Sequence, residues 1–323
     1  MRRRFIVVAA ASMLAAPQVS FAQAAAGKRR IAILTASTVA ATEHLWAIFR
    51  SGLRDLGWIE GDNLIIDMRY AEGDPARVAT LTAELLALKP DVMVSGTDRE
   101  ARAAAAATRS IPIVFPVGAD PVGFGLVKSL ARPGTNVTGL SVLSGELNPK
   151  RLSFMKEALP HLSNVGVLGE TGVELTATAL VKPARQLGLK LVPAGAGTAD
   201  AFDAAFETMA HGGAEAVLSV GGSLFFQHRQ KLADLALRHR WAMIVATSEA
   251  ADAGALLSYG ADLKENVKRL APLVDRILRG ANPAMIPIEQ VNLFELVINR
   301  RTARALGIEL PRTLMLQATR VID

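Results

Sequence analysis

Short apolar runs alternate along the chain with longer stretches whose apolar residues recur at steps of three and four. The run 31–34 reads Ile-Ala-Ile-Leu, and it is followed by a stretch from Glu43 to Leu56 that carries Trp46, Phe49 and Leu53 on one side. A short, wholly apolar run is typical of a buried strand, and the three-and-four spacing is typical of one face of a helix. The same alternation continues along most of the chain and predicts repeated strand–helix units.

The number of predicted strands decides the architecture. Helices that connect short apolar strands indicate parallel sheets covered on both faces. More strands occur than one sheet comfortably holds, so the pattern predicts an α/β protein with two doubly wound parallel-sheet lobes. The lobes divide near residues 139–146, after the turn-rich run 131–139. Close to the C-terminus, an extended segment over 286–293 precedes a predicted helix over 295–306.

Small and hydroxyl-bearing residues follow several of these strands. Ligands bind beyond the carboxyl ends of parallel strands, so two lobes that face one another would line a single cleft with these loops. The candidate ligand-binding residues are Thr35, Ser37, Ser95, Gly96, Thr97, Asp98, Val117, Asp120, Ser223, Thr247 and Glu249.

Some candidates have a second interpretation. Thr97 or Asp98 is expected to cap the following helix, and the free N–H groups of that helix would also suit a ligand carboxylate. Asp120 and Glu249 could each pair with a ligand ammonium group, or act as a cap or surface charge. Trp46 lies on an apolar helix stripe, which favours core packing over a ligand cage.

The N-terminus predicts export. Arg2, Arg3 and Arg4 precede a largely apolar run of twelve residues and then small residues, which is the pattern of a cleavable signal peptide over residues 1–24. The adjacent arginines also resemble a twin-arginine signal, but the general secretory route is favoured. The sequence contains no cysteine, so we expect neither a disulfide nor a lipid anchor, and the mature protein would lie free in the periplasm.

Charge and motifs argue against nucleic-acid binding and catalysis. The net charge is +6, and the leader arginines supply three of these charges, which leaves a mild excess unlike that of a nucleic-acid-binding protein. No nucleophile elbow, phosphate-binding loop or metal-ligand spacing occurs in the sequence. We therefore expect no enzyme activity, no cofactor and no metal. The scattered histidines fit a solvated surface better than a metal site: His44, His161, His211, His228 and His239.

Several longer segments together resemble one known family. Residues 52–64 read GLRDLGWIEGDNL, residues 120–140 read DPVGFGLVKSLARPGTNVTGL, and residues 297–303 read VINRRTA. They resemble the ABC-transporter substrate-binding proteins related to the tryptophan-binding TrpX proteins, which have a type I periplasmic-binding fold. The resemblance covers the chain from about Arg30 to its end. Where an acidic Asp-Pro is expected ahead of two phenylalanines, this chain has Gly222 and Ser223.

The resemblance implies two lobes joined by a three-segment hinge. We place the crossings near 139–143, 247–253 and 284–291. Lobe 1 would then comprise residues 28–141 and 249–283, and lobe 2 residues 142–248 and 284–323.

The implied function is capture without chemistry. The protein would be the extracytoplasmic solute-binding component of an ABC importer, monomeric and without a membrane anchor. It would bind a small polar solute, an amino acid or related small acid, in the interlobe cleft and deliver it to a permease in the inner membrane. The alternative is a ligand-sensing ectodomain partner of a membrane signalling receptor. A gene regulator would need a DNA-reading domain in place of the leader, and an exported sugar- or nucleotide-processing enzyme would need a catalytic constellation.

Overall fold

The computed structural model describes residues 27–142, 144–170 and 173–323, and the predicted signal peptide lies outside them. Strands and helices are numbered along the chain. Lobe 1 contains a six-stranded sheet in the order β11-β5-β4-β3-β1-β2, with every pair of neighbours parallel. Its strands are β1 (Arg29–Thr35), β2 (Leu64–Tyr70), β3 (Val92–Ser95), β4 (Ile113–Gly118), β5 (Val137–Ser141) and β11 (Glu289–Gln290).

Helices cover both faces of this sheet. They are α1 (Val39–Asp55), α2 (Arg77–Ala87), α3 (Asp98–Ala107) and α10 (Leu263–Leu278), with a short 3-10 helix at Pro283–Met285. Side chains alternate along β1: Ile31 and Ile33 pack with α1 and α10, whereas Ala32 and Leu34 pack with α2 and α3. Because both faces are buried here, the central residues 31–34 of the strand are all apolar, as the sequence pattern indicated.

Lobe 2 contains a seven-stranded sheet in the order β13-β12-β10-β9-β8-β6-β7. Its strands are β6 (Asn164–Gly169), β7 (Lys190–Gly195), β8 (Ala216–Ser219), β9 (Ala242–Val245), β10 (Leu257–Ala261), β12 (Phe294–Asn299) and β13 (Arg320–Ile322). The surrounding helices are α4 (Ser144–Ala158), α5 (Val173–Gln186), α6 (Phe202–His211), α7 (Ser223–Gln227), α8 (Arg229–Arg238), α9 (Ser248–Asp252), α11 (Arg300–Leu306) and α12 (Arg312–Gln317), with a 3-10 turn at Ala199–Ala201.

The central strands of lobe 2 are also buried on both faces. Leu218 and Ile244 belong to the core cluster under α4 and α5, whereas Val217 and Met243 belong to the cluster under α6 and α8. Two doubly wound α/β lobes are thus confirmed. One detail differs, because β12 pairs with β10 in the antiparallel sense and β13 then runs parallel to β12.

The sheets correct part of the predicted lobe boundaries. β10 pairs with β9 and β12, so it belongs to lobe 2 and not to the lobe 1 segment 249–283. The chain therefore crosses between lobes after β5, between β10 and α10, and between β11 and β12. A short apolar strand fits either sheet equally well by pattern, so its partner could not be read from the sequence. Gly260 of β10 allows a close approach to the residue that follows β9, since a Cβ at this position would lie 1.9 Å from the carbonyl oxygen of Ala246.

The predicted helix over 295–306 is wrong in its first half. Residues 294–299 form β12, and only Arg300–Leu306 is helical. Asn299 marks the change, because its side chain accepts a hydrogen bond from the N–H of Thr302 and caps α11. The β-branched Val297 and Ile298 pair with β10 in the sheet, and this tertiary pairing overrides the helical spacing of the local sequence.

Candidate ligand-binding site

A cavity of about 290 Å³ lies between the two lobes. It is formed at the carboxyl ends of β1, β3 and β4 from lobe 1 and of β8 and β9 from lobe 2, which is the position expected for open parallel sheets. Eight of the predicted ligand residues line it: Thr35, Ser37, Gly96, Thr97, Asp98, Val117, Ser223 and Thr247. Contact with a ligand remains a prediction for all of them.

The N-terminus of α3 forms the polar wall on lobe 1. Thr97 caps the helix, with its hydroxyl accepting from the N–H of Arg99 at 3.2 Å. The fully buried Glu100 completes a capping box by accepting from the N–H of Thr97 at 3.0 Å. Its other carboxylate oxygen accepts from the N–H of Ala36 at 2.8 Å, which ties the loop after β1 to α3. The capping role of Thr97 is confirmed, and these bonds hold the wall rigid.

Asp98 is the one acidic residue among the lining residues that the structure describes. Its Oδ2 accepts a hydrogen bond from the N–H of Ala119 at 2.8 Å, so the loop after β4 holds the carboxylate in place. Burial raises the pKa of Asp98 above its ordinary value, although N–H groups of the same loop act in the opposite direction. A carboxylate held at the cavity wall in this way can pair with a ligand cation, and such a pairing favours its ionised form.

Arg151, from α4, supplies a buried cation on lobe 2. It is 2% exposed and lines the cavity. Its Nε donates to the carbonyl oxygen of Tyr259 at 2.8 Å, and its Nη1 contacts the side-chain oxygen of Asn148. Burial lowers the pKa of Arg151 to about 10, so the guanidinium remains charged at neutral pH. A ligand carboxylate in the cavity would therefore meet a positive potential from this wall.

Apolar side chains form the rest of the lining. They include Leu45, Trp46, Val142, Phe226, Leu263 and Val267. Trp46 is 3% exposed and packs in the lobe 1 core, as its position on the helix stripe predicted, but it also lines the cavity. The site can thus bury an apolar group and hold charged groups at its ends.

Three of the predicted residues lie elsewhere. Ser95 is fully buried at the end of β3. Asp120 is exposed, and its Oδ1 accepts from the N–H of Gly123 at 2.8 Å within its own turn. Glu249 is 9% exposed and does not line the cavity, because the turn into α9 buries it within lobe 2. Burial raises the pKa of Glu249. Asp120 and Glu249 are therefore not in position to pair with a ligand ammonium group in the cavity, and Asp98 becomes the candidate for that role.

Sequence reasoning missed Arg151. No helix was predicted over 144–158, and an arginine beside Lys150 looks like an ordinary surface charge. The neighbouring Leu152 and Met155 belong to the lobe 2 core, but the helix as a whole has no strong amphipathic pattern to reveal the buried arginine.

Contacts between the lobes show that they are closed over the cavity. Arg99 of α3 forms an ion pair with Glu170, which follows β6, at 2.5 Å. The same carboxylate accepts from the N–H of Gly222 at 3.0 Å, so lobe 2 orients it toward lobe 1. Phe226 of α7 packs against the lobe 1 core, with the guanidinium of Arg229 4.7 Å from its ring centre.

Within the described ranges, no helix is long and apolar enough to cross a membrane, and no group of acidic and histidine side chains is arranged to hold a metal ion. Two α/β lobes closed over a cavity that offers a cation, a carboxylate and apolar walls define a solute-binding protein of the periplasmic-binding class.

The chain belongs to the ABC transporter substrate-binding protein family, whose model matches residues 30–322. Proteins of this family are the extracytoplasmic, non-enzymatic components of ABC transporters that bind small-molecule solutes and work with a permease. The family assignment confirms the resemblance found in the sequence and the expectation that the chain is not an enzyme.

Individual relatives agree with this assignment. The chain is 27% identical over 265 residues to a tyrosine-binding protein of Clostridioides difficile, covering 81% of this chain and 76% of that protein. A conserved domain protein of Vibrio cholerae has a TM-score of 0.83 at 29% identity, covering 91% of this chain and 99% of that one. An ABC domain of Streptococcus pneumoniae, solved in complex with L-Trp, has the same fold, with a TM-score of 0.83 at 22% identity over 92% and 100% of the two chains.

Proposed function

We propose that this protein is the solute-binding component of an ABC importer and that it captures an amino acid or related small acid in the interlobe cavity. One observation carries the proposal: the cavity combines the buried Arg151 with the α3 N-terminus and Asp98 around apolar walls. A guanidinium cation and the positive end of the α3 dipole suit a carboxylate, and apolar walls suit a hydrocarbon or aromatic body.

The relatives support an acid of this kind. The curated relative is named for tyrosine binding, and one similar structure contains L-Trp. A more distant solute-binding protein from R. palustris, with a TM-score of 0.59, was solved with benzoate, an apolar acid without an ammonium group. An ammonium group on the solute of this chain would have Asp98 as its partner.

Export and delivery complete the proposed role. The leader over residues 1–24 would direct the chain to the periplasm by the general secretory route, where the mature protein would act as a monomer. Solute binding would stabilise the closed form, because only that form brings Arg151 and α3 together around the solute. The closed form would then deliver the solute to an inner-membrane permease.

Thermal-shift screening of the mature protein tests the proposal. The panel contains aromatic and aliphatic amino acids, their deaminated analogues and benzoate, and at least one is expected to raise the melting temperature. Ser223→Phe should abolish the shift by filling the cavity, whereas Ser51→Phe, on an exposed site of α1, should retain it. The proposal fails if no solute stabilises the protein or if the Ser223→Phe variant responds like the wild type.

A further inference from the structure

A second groove lies on lobe 1, beside the cavity. One wall is the exposed face of α3, and the other is the loop that follows β4; we call it the α3 groove. It measures about 570 Å³, and Arg102, Arg109 and Phe124 line it together with small alanine side chains. Helical spacing places Arg99, Arg102 and Ala106 on one face of α3. The groove is therefore a basic surface with an aromatic wall.

Two of the three arginines in the α3 groove are not engaged in ion pairs within the described part of the chain, whereas the third, Arg99, pairs with Glu170. Neither Arg102 nor Arg109 forms an ion pair with any residue that the structure describes. The guanidinium of Arg102 lies 5.2 Å from the ring centre of Phe124, which is 48% exposed. Asp98, one turn earlier on α3, interacts electrostatically with Arg102 but accepts its hydrogen bond from the N–H of Ala119, and Asp120 in the loop accepts from the N–H of Gly123. Unpaired arginines beside an exposed aromatic ring are typical of a surface that binds an acidic partner.

The spacing of the arginines favours a segment of protein over a small anion. Arg102 lies within α3, whereas Arg109 follows the end of the helix and the extended residue Thr108, so the two arginines occupy different parts of the groove. A segment with two acidic residues can pair with both guanidinium groups at once, whereas a single carboxylate supplies only one charge. The floor of small alanines leaves room for a backbone to lie along α3.

The groove is also linked to closure of the lobes. Arg99 lines both the interlobe cavity and the α3 groove. In the closed form its guanidinium is held by Glu170 of lobe 2, and this ion pair cannot form when the lobes separate. The end of the groove nearest the cavity therefore has a different charge distribution in the open and closed forms. A partner that docks there would distinguish the two.

We infer that the α3 groove is the docking site for an acidic extracytoplasmic loop of the membrane permease. The inference rests on the proposed transport function, which supplies a partner that must recognise the closed, loaded form. Electrostatic complementarity would speed and orient the encounter, and Phe124 would provide an apolar contact at its centre.

Site-specific crosslinking tests this inference without knowledge of the solute. The natural chain has no cysteine, so Ala106→Cys places a single benzophenone label in the groove. Ala204→Cys, on the exposed side of α6 in lobe 2, is the matched control. The labelled mature proteins are added to spheroplasts of the host, irradiated and analysed by mass spectrometry. The groove label should yield an adduct with an acidic peptide of an ABC permease subunit, and the control should not.

Charge reversal provides the second arm. Arg102→Glu with Arg109→Glu should lower the permease adduct at least tenfold. Arg301→Glu with Arg304→Glu makes the same change on exposed α11 and should leave it intact. A groove label that captures only lipid or no permease overturns the inference, as does an adduct that survives charge reversal. Solute-induced thermal shifts should persist in both charge variants, so failure of docking is distinguishable from failure of solute binding.

Discussion

Replacing Asp98 tests whether the solute carries an ammonium group. Asp98 is the acid that lines the cavity, and Asp98→Asn removes its charge while the amide oxygen can still accept from the N–H of Ala119. A hydrogen bond to a charged group contributes about 1.5–3 kcal/mol. If the solute is an amino acid, the variant should therefore weaken its binding by about 10- to 100-fold, since each 1.4 kcal/mol is tenfold.

Deaminated analogues make the test specific. Indole-3-propionate and 3-(4-hydroxyphenyl)propionate match L-tryptophan and L-tyrosine without the ammonium group, so their affinity should be unchanged or higher in Asp98→Asn. Isothermal titration calorimetry measures both sets. Asp120→Asn is the matched control, because this exposed residue lies outside the cavity and should affect neither set. Equal losses for amino acids and deaminated acids, or no loss for an amino acid that the wild type binds, would refute the assigned role of Asp98.

Three further predictions concern closure, pH and fluorescence. Glu170→Gln should weaken solute binding by a few-fold, because its partner Arg99 is 57% exposed and such ion pairs contribute at most about 1 kcal/mol. Small-angle scattering should show a more open mean shape of the variant. An unchanged shape and affinity would contradict a role of the Arg99–Glu170 ion pair in closure. Because burial raises the folded-state pKa of Glu249, the contribution of this residue to stability is present at acid pH and is lost as pH rises through that pKa. Glu249→Gln should therefore increase the free energy of unfolding at neutral pH but not near pH 4. A lower free energy of unfolding of the variant at neutral pH, measured in urea, would contradict this. Solute should change the fluorescence of the wild type and of Trp58→Phe but not of Trp46→Phe, since Trp46 lines the cavity; a retained signal in Trp46→Phe would place the solute elsewhere.

Local sequence predicted the lobe 1 half of the site well. Ser95-Gly96-Thr97-Asp98 follows an apolar strand and precedes an alanine-rich stretch, so the strand end, the cap and the helix start follow from turn and capping chemistry alone. The rule that ligands bind at the carboxyl ends of parallel strands then brings Gly96, Thr97 and Asp98 together with the loop after β1, whereas Ser95 is buried at the strand end.

The remaining features depend on tertiary pairing. Glu249 follows a strand, as the rule requires, but the short turn of α9 directs it into lobe 2 instead of the cavity. Arg151 comes from the middle of a helix, where no strand-end rule applies. The lobe assignment of β10 depends on its pairing with β12, which is far along the chain. Burial of a charge and the choice of a strand partner are set by the assembled fold, so neither could be read from local patterns.

The identity of any solute that co-purifies with the exported protein tests the central claim most directly. Native mass spectrometry of the mature protein from the periplasm should show a one-to-one complex, and denaturation should release a small organic acid. The Ser223→Phe variant, prepared in parallel, should lack this mass. Protein that carries no acid and is stabilised by none of the panel, or an acid that is retained equally by the Ser223→Phe variant, would contradict capture in the interlobe cavity.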